Sequence, residues 1–224
     1  YLMAKISNNN KRIAKNTLFL YIRMFVMVAI SLYTSRIVLD VLGVEDYGVY
    51  NVVGGVVVLF SFLNSAMVSA IQRFLNFELG KEDEIEAGRV FSMSINCQVI
   101  IIGLFLLLSE TIGLWFLNNY LKIPEGRMVA ANWIYQLSII STCFGIFYSA
   151  YNATIIAYEK MNVYAYISIL EAVLNLGIIY FLMFCDFDRL IYYGILVLAV
   201  TILVNLIYIF YCLTKFPICH YHYI

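Results

Sequence analysis

The sequence predicts an all-α membrane protein, a bundle of six transmembrane helices, and three observations carry that expectation. Six runs, 17–39, 48–72, 95–117, 131–157, 163–185 and 190–213, each hold the roughly 20 mostly apolar residues that a helix needs to cross the hydrocarbon core. Of 224 residues, 63% are hydrophobic and 12% charged, whereas soluble domains run at about 45–50% and about 25%. Finally, the charges alternate from one connection to the next. Together the runs take up most of the chain, so little is left for a soluble domain.

Residues 1–16 are polar and basic, with Lys5, Lys11, Arg12 and Lys15, and read as a cytoplasmic segment entering the first span as an interfacial helix. The run 17–39 is too long for the core of a signal peptide, carries Arg23 and Arg36, and lacks a small-residue cleavage site. Position 1 is Tyr, so the numbering is expected to start inside a longer gene product. Asp40, Glu45 and Asp46 fill the connection to the second span, where Gly54 and Gly55 permit a bend or a close helix approach. The longest connection, 78–89 (ELGKEDEIEAGR), mixes both signs and predicts a solvated helical turn. Pro124 and Gly126 punctuate the chain before the fourth span, Lys160 marks the link to the fifth, and Asp186 and Asp188 mark the turn before the sixth. The six spans form one unit over 17–213, and 214–224 is a cytoplasmic tail or linker.

Lys5, Lys11, Arg12, Lys15, Arg73, Lys81, Arg89, Lys160 and Lys215 fall on one side of this arrangement, against Lys122, Arg127 and Arg189 on the other. Short loops rich in Lys and Arg stay cytoplasmic. Both termini are therefore expected inside, which requires an even number of spans. Net charge is zero, so bulk charge points to no nucleic-acid partner.

The five cysteines are odd in number and lie mostly in or at the ends of spans, which argues against a disulfide framework. Cys219, His220 and His222 fit no common zinc spacing and sit in the tail. With no nucleophile paired to a base, no ligand set and no phosphate loop, no enzyme chemistry, metal or cofactor is expected.

Polar groups at membrane depth are costly and face the bundle interior or a water-filled cavity. Arg23 lies two turns beyond Lys15, deeper than snorkelling explains comfortably. Arg36 and Asp40 are four apart, the spacing of a local ion pair. In the second span Ser61, Ser65, Ser69, Gln72 and Asn76 recur at helical spacing, widened by Asn64 and Arg73. Such a stripe lacks partners in lipid and is expected to face protein or water. Close packing of small residues is the alternative for it. In the fifth span Ser168, Glu171 and Asn175 share a face, and Glu171 could carry a proton, meet a cation or bond a neighbouring helix. Asn132, Gln136, Ser141, Thr142 and Asn152 add polar groups to the fourth span.

Residues 34–51, TSRIVLDVLGVEDYGVYN, carry a resemblance. A turn of this form, with Gly43, Tyr47, Gly48 and Tyr50, resembles the bacterial polysaccharide and O-antigen flippases of the multidrug/oligosaccharidyl-lipid/polysaccharide exporter superfamily. AIQRFLNFELGK at 70–81 and the link at 157–165 are similar to that family too. The resemblance implies two six-helix lobes around a central cavity, of which this chain looks like the N-terminal one, 215–224 leading to a missing C-terminal lobe. It implies alternating-access transfer of undecaprenyl-pyrophosphate-linked oligosaccharide across the bacterial inner membrane. The carrier's pyrophosphate would meet Arg23, with Arg36 second. Membrane lipids and the lipid-linked oligosaccharide are the partners it implies.

Other functions compete. A cation-coupled multidrug exporter of the same superfamily would favour acidic membrane residues, whereas here arginine is prominent at depth. A membrane glycosyltransferase or polymerase needs sizeable loops, and these are short. A non-transporting fragment is the remaining alternative.

Overall fold

The computed structural model describes residues 2–58, 61–121, 123, 124, 126–184 and 188–220, without the side chains of 2–10, 12, 56, 58 and 61–64. The fold is helical throughout: α1 (Leu2–Val58), α2 (Ser61–Gly80), α3 (Glu84–Leu108), a π turn (Ser109–Gly113), α4 (Leu114–Asn119), α5 (Met128–Ala157), α6 (Met161–Leu182), α7 (Arg189–Lys215) and a short 3₁₀ turn (Pro217–Cys219).

At 1.5 Å per residue a straight α1 would run about 85 Å, roughly twice a whole bilayer. It does not run straight, because Gly43 takes φ 79°, ψ 166° and breaks it. That conformation is open to glycine and strained for a residue with a Cβ. Packing on either side of Gly43 shows the chain reversing. Before it, α1 runs parallel to α6: Asn16 Nδ2 donates to Glu159 Oε2 at 3.5 Å, the Phe19 ring stands edge-on to Tyr166, and the Tyr33 and Tyr180 hydroxyls meet at 2.7 Å. Val38 and Leu42 then join Ile179 and Leu182. After Gly43, Val49, Val53 and Val57 pack with Ala130, Ile134 and Ile139 in the first half of α5. Ile71 and Leu75 of α2 continue that path against Ala150 and Ile155 in its second half. Since 158–160 alone join α5 to the oppositely directed α6, the chain after Gly43 runs back the way it came.

The bundle thus has a terminal end, holding both ends of the chain with the connections 81–83 and 158–160, and a far end with Gly43 and the connections after α4 and α6. At the terminal end Phe91 and Tyr151 pack edge to face at 5.2 Å, Phe216 stacks on Tyr158, and Ile218 and Cys219 close against Ala87. Burial raises the Tyr158 hydroxyl above its ordinary value. The four described cysteines, Cys97, Cys143, Cys212 and Cys219, are free thiols.

The far end is tied by charge. Arg127 Nη1 donates to Asp188 Oδ2 at 2.8 Å, and its Nη2 donates to Asp46. Asp188 also caps α7 by accepting from Leu190 N, and Arg189 Nη1 donates to Val41 O at 3.2 Å. One guanidinium therefore joins the turn at Gly43 to the connections before α5 and before α7. Burial opposes the charge on Arg127, but the hydrogen bond and charge of Asp46, then those of Asp188, outweigh it and lift the group above its ordinary value. A group raised in the folded state contributes stability that is lost only as pH climbs through the raised value. The arginine side of this clamp therefore does not titrate near neutrality.

Five helical stretches are long and apolar enough to cross a membrane: Ile13–Gly55, Glu84–Asn119, Met128–Ala157, Met161–Leu182 and Arg189–Lys215. Large apolar side chains such as Phe25, Leu32, Ile100 and Phe210 stand exposed on the outside, as a lipid environment requires. The expected span 48–72 is helical on both sides of residues 59 and 60, which lie outside the described residues: 48–58 belong to α1 and 61–72 to α2.

Candidate functional site

A polar interior lies where α5, α6 and α7 meet. Ser141, Thr142 and Tyr148 of α5, Glu171 of α6, and Thr201 and Asn205 of α7 surround a cavity of about 290 Å³. Helical spacing builds it. Ser141, Gly145 and Tyr148 recur at four and three residues along α5, and Thr201 and Asn205 at four along α7, so each set lines one face. Ser141 Oγ donates to Thr201 Oγ1 at 3.3 Å across the α5–α7 contact. Close approach of these helices depends on Gly194, where a Cβ would stand 2.5 Å from Ile134 Cδ1.

Arg23 brings the charge. Its guanidinium carbon sits 4.3 Å from the centre of the Tyr164 ring, in cation–π geometry, and its side chain is half-buried. Its Nε is buried and has no hydrogen-bond partner. The Arg23 charge acts on both Glu171 and Tyr148, so the cation and the carboxylate belong to one electrostatic cluster. Glu171 stands ten residues into α6, about 15 Å from its start, close to mid-helix. Asn175 Oδ1 and Asn205 Nδ2 are likewise buried without a partner. Unmade hydrogen bonds on buried groups cost about 1–3 kcal/mol each, a cost tolerated where polar ligands are to be held.

A separate cleft of about 800 Å³ opens at the terminal end, walled by Lys15, Asn16 and Phe19 of α1, Leu79, Glu82, and the connection carrying Tyr158, Glu159 and Lys160. Phe19 of its wall and Arg23 are four apart and share a face of α1.

The structure brings Arg23 into electrostatic contact with Glu171, while Ser168 Oγ donates to Tyr164 O at 2.8 Å and the other expected residues lie elsewhere. Arg36 and Asp40 are both exposed, and the local ion pair their spacing suggested does not form. On α2, Ser65, Ser69, Arg73 and Asn76 are exposed and Gln72 is half-buried, with Ser69 Oγ donating to Ser65 O at 2.9 Å. The side chains of Ser61 and Asn64 lie outside the described residues. Within this chain the stripe therefore forms an outer face of α2 while Ile71 and Leu75 turn inward. Sequence reasoning missed Tyr148, Tyr164, Thr201 and Asn205. The Thr201–Asn205 spacing was a readable signal; the tyrosines were hidden among 19.

Among the described residues no cluster of His, Cys, Asp and Glu could hold a metal ion. Comparison with known proteins brings no match, whether to a family model, to a curated protein or to a solved structure. The chemistry of the site must carry the functional argument. A ring-stacked guanidinium offers a fork of donors suited to phosphate, and neutral hydroxyls and amides suit the hydroxyls of sugars.

Proposed function

We propose that this chain is one lobe of a transporter that moves lipid-linked oligosaccharide, carried on undecaprenyl pyrophosphate, across the bacterial inner membrane by alternating access. The observation that carries this reading is Arg23: half-buried in an apolar bundle, stacked on Tyr164, with an unpartnered Nε and its charge acting on Glu171. In this reading the chain crosses the membrane six times, the second crossing made by 44–58 and α2 together. The terminal end faces the cytoplasm, in keeping with the excess of Lys and Arg there. Arg23 meets the pyrophosphate. Arg36 and the exposed stripe of α2 face a second lobe, and the stripe supplies neutral groups for sugars. Glu171 serves ion or proton coupling.

The experiment is export of surface polysaccharide in cells. Arg23→Ala is expected to abolish it at normal protein abundance, with partial rescue by Arg23→Lys, which keeps charge but loses the fork. Intact export in Arg23→Ala would defeat the reading. The cavity around Glu171, Thr201 and Asn205 favours a second possibility, a cation-coupled multidrug exporter of the same superfamily. There Glu171→Gln would remove drug resistance while Arg23→Ala left it intact.

A further inference from the structure

The π turn at Ser109–Gly113 places a carboxylate on the outside of the bundle. Tyr135 of α5 packs on this turn, its hydroxyl donating to Ser109 O at 2.8 Å. The hydroxyl occupies the space beside Gly113, where a Cβ would stand 1.9 Å from it. A π turn inserts an extra residue and re-aims the side chains around it, which is why such turns gather at functional sites. Glu110 is the residue re-aimed here. It stands exposed, and Gln136 Nε2 donates to its Oε2 at 3.2 Å.

Beside it runs a groove of about 330 Å³ lined by Val129, Asn132, Trp133 and Gln136. Asn132 Nδ2 donates to Asn118 Oδ1 at 3.4 Å, tying α5 to α4 under the groove. The exposed side chains around it, Leu107, Ile112, Val129 and Ile140, are apolar, as a lipid-facing surface is. Its depth follows from helix geometry. Gln136 is eight residues into α5, about 12 Å from the far end of a helix about 45 Å long. A bilayer of about that full thickness has a hydrocarbon core of about 30 Å, so Glu110 lies only about 5 Å below the headgroup level. Among the described residues no Lys or Arg pairs with it.

We propose that this groove binds the primary ammonium headgroup of a bilayer phospholipid of the phosphatidylethanolamine class. A carboxylate facing lipid calls for a cation. Three acceptors lie around the groove: the second oxygen of Glu110 and the amide oxygens of Gln136 and Asn132, whose NH₂ groups make the bonds given above. They match the three N–H donors of a primary ammonium, which a quaternary ammonium lacks. Trp133 adds an aromatic ring that favours a cation nearby. The apolar surroundings take the acyl chains, which a free amine in water does not have.

The two tryptophans of the chain, Trp115 and Trp133, are both exposed within two turns of this groove, so their fluorescence reports it. The test reconstitutes the full chain in phosphatidylglycerol vesicles and adds phospholipids with brominated acyl chains at equal mole fraction. Brominated phosphatidylethanolamine is expected to quench several-fold more effectively than brominated phosphatidylglycerol or phosphatidylcholine. The isosteric Glu110→Gln is expected to erase the preference, and Gln136→Leu, which leaves the carboxylate, to weaken it. Millimolar ethanolamine in the buffer is expected to leave it unchanged. Equal quenching by all three lipids, or a preference surviving in Glu110→Gln, overturns the proposal. Displacement by ethanolamine makes this a site for a free amine and overturns the lipid. Protection from every lipid marks a protein contact and overturns it as well.

Discussion

The two ends of the bundle turn the chain in opposite ways. Among the described residues with positive φ, Gly43 and Gly126 stand at the far end and Glu82 and Glu159, at φ 61° and 54°, at the terminal end. A left-handed residue with a Cβ costs about 1–2 kcal/mol, which glycine avoids. The far end adds a clamp across three connections through Arg127, whereas the terminal end opens into a cleft walled by the strained glutamates themselves. Strain kept where glycine would relieve it, on residues lining the opening, is in keeping with the proposed function, in which the terminal end is the working side. The far end is built to hold still.

Breaking the clamp is expected to have the largest effect. Asp46 is 6% exposed, and Arg127→Met would leave its carboxylate buried and unpaired. A fully buried broken pair costs about 3–5 kcal/mol; the partial exposure of Arg127 reduces that to about 2–3 kcal/mol. Thermal unfolding in detergent measures the loss, and pairing Arg127→Met with Asp46→Asn should recover part of it. Next comes Gly43→Ala, which imposes the left-handed penalty at the reversal, about 1–2 kcal/mol by the same assay. An unchanged melting temperature would mean that Gly43 does not hold the turn.

The terminal end should respond with the opposite sign. Glu82→Gly relieves strain and is expected to stabilise by about 0.5–1 kcal/mol, part of the relief being offset by the greater freedom of glycine in the unfolded chain. Transport is expected to fall as stability rises, and a gain in both would remove the argument for strain kept for function. The smallest effect belongs to Lys81→Ala. Its pair with Glu78 at 3.2 Å is an exposed i,i+3 contact, worth under about 0.5 kcal/mol.

Much of this contrast was legible in the sequence, and the limits are physical. Apolar runs and loop charges gave the helices and the two ends, since both follow from local composition. Gly43 and the acidic residues after it were readable as a connection. The facing of the polar stripe on α2 was not, because small and amide side chains suit both a cavity wall and a close helix contact. Arg23 and Glu171 stood out singly as charges in apolar runs. Tyr164 of α6 meets Arg23 of α1, and Asn205 of α7 shares a cavity with Glu171 of α6, only through packing between helices. The same holds for the π turn: nothing local to Ser109–Gly113 announces the Tyr135 hydroxyl that bonds to it. Arg127, Asp46 and Asp188 were visible only as loop charges, because an ion pair spanning 81 positions in the chain leaves no periodic trace.

The central claim is that Arg23 grips a phosphate-bearing lipid, and direct binding tests it. Purified protein in detergent is titrated with a polyprenyl pyrophosphate, and the affinities of the wild type, Arg23→Lys and Arg23→Ala are compared. Losing charge-assisted bonds worth about 1.5–3 kcal/mol predicts binding about 10- to 100-fold weaker in Arg23→Ala, with Arg23→Lys between the two. Equal affinity in all three proteins, with the fold intact by circular dichroism, would contradict the account.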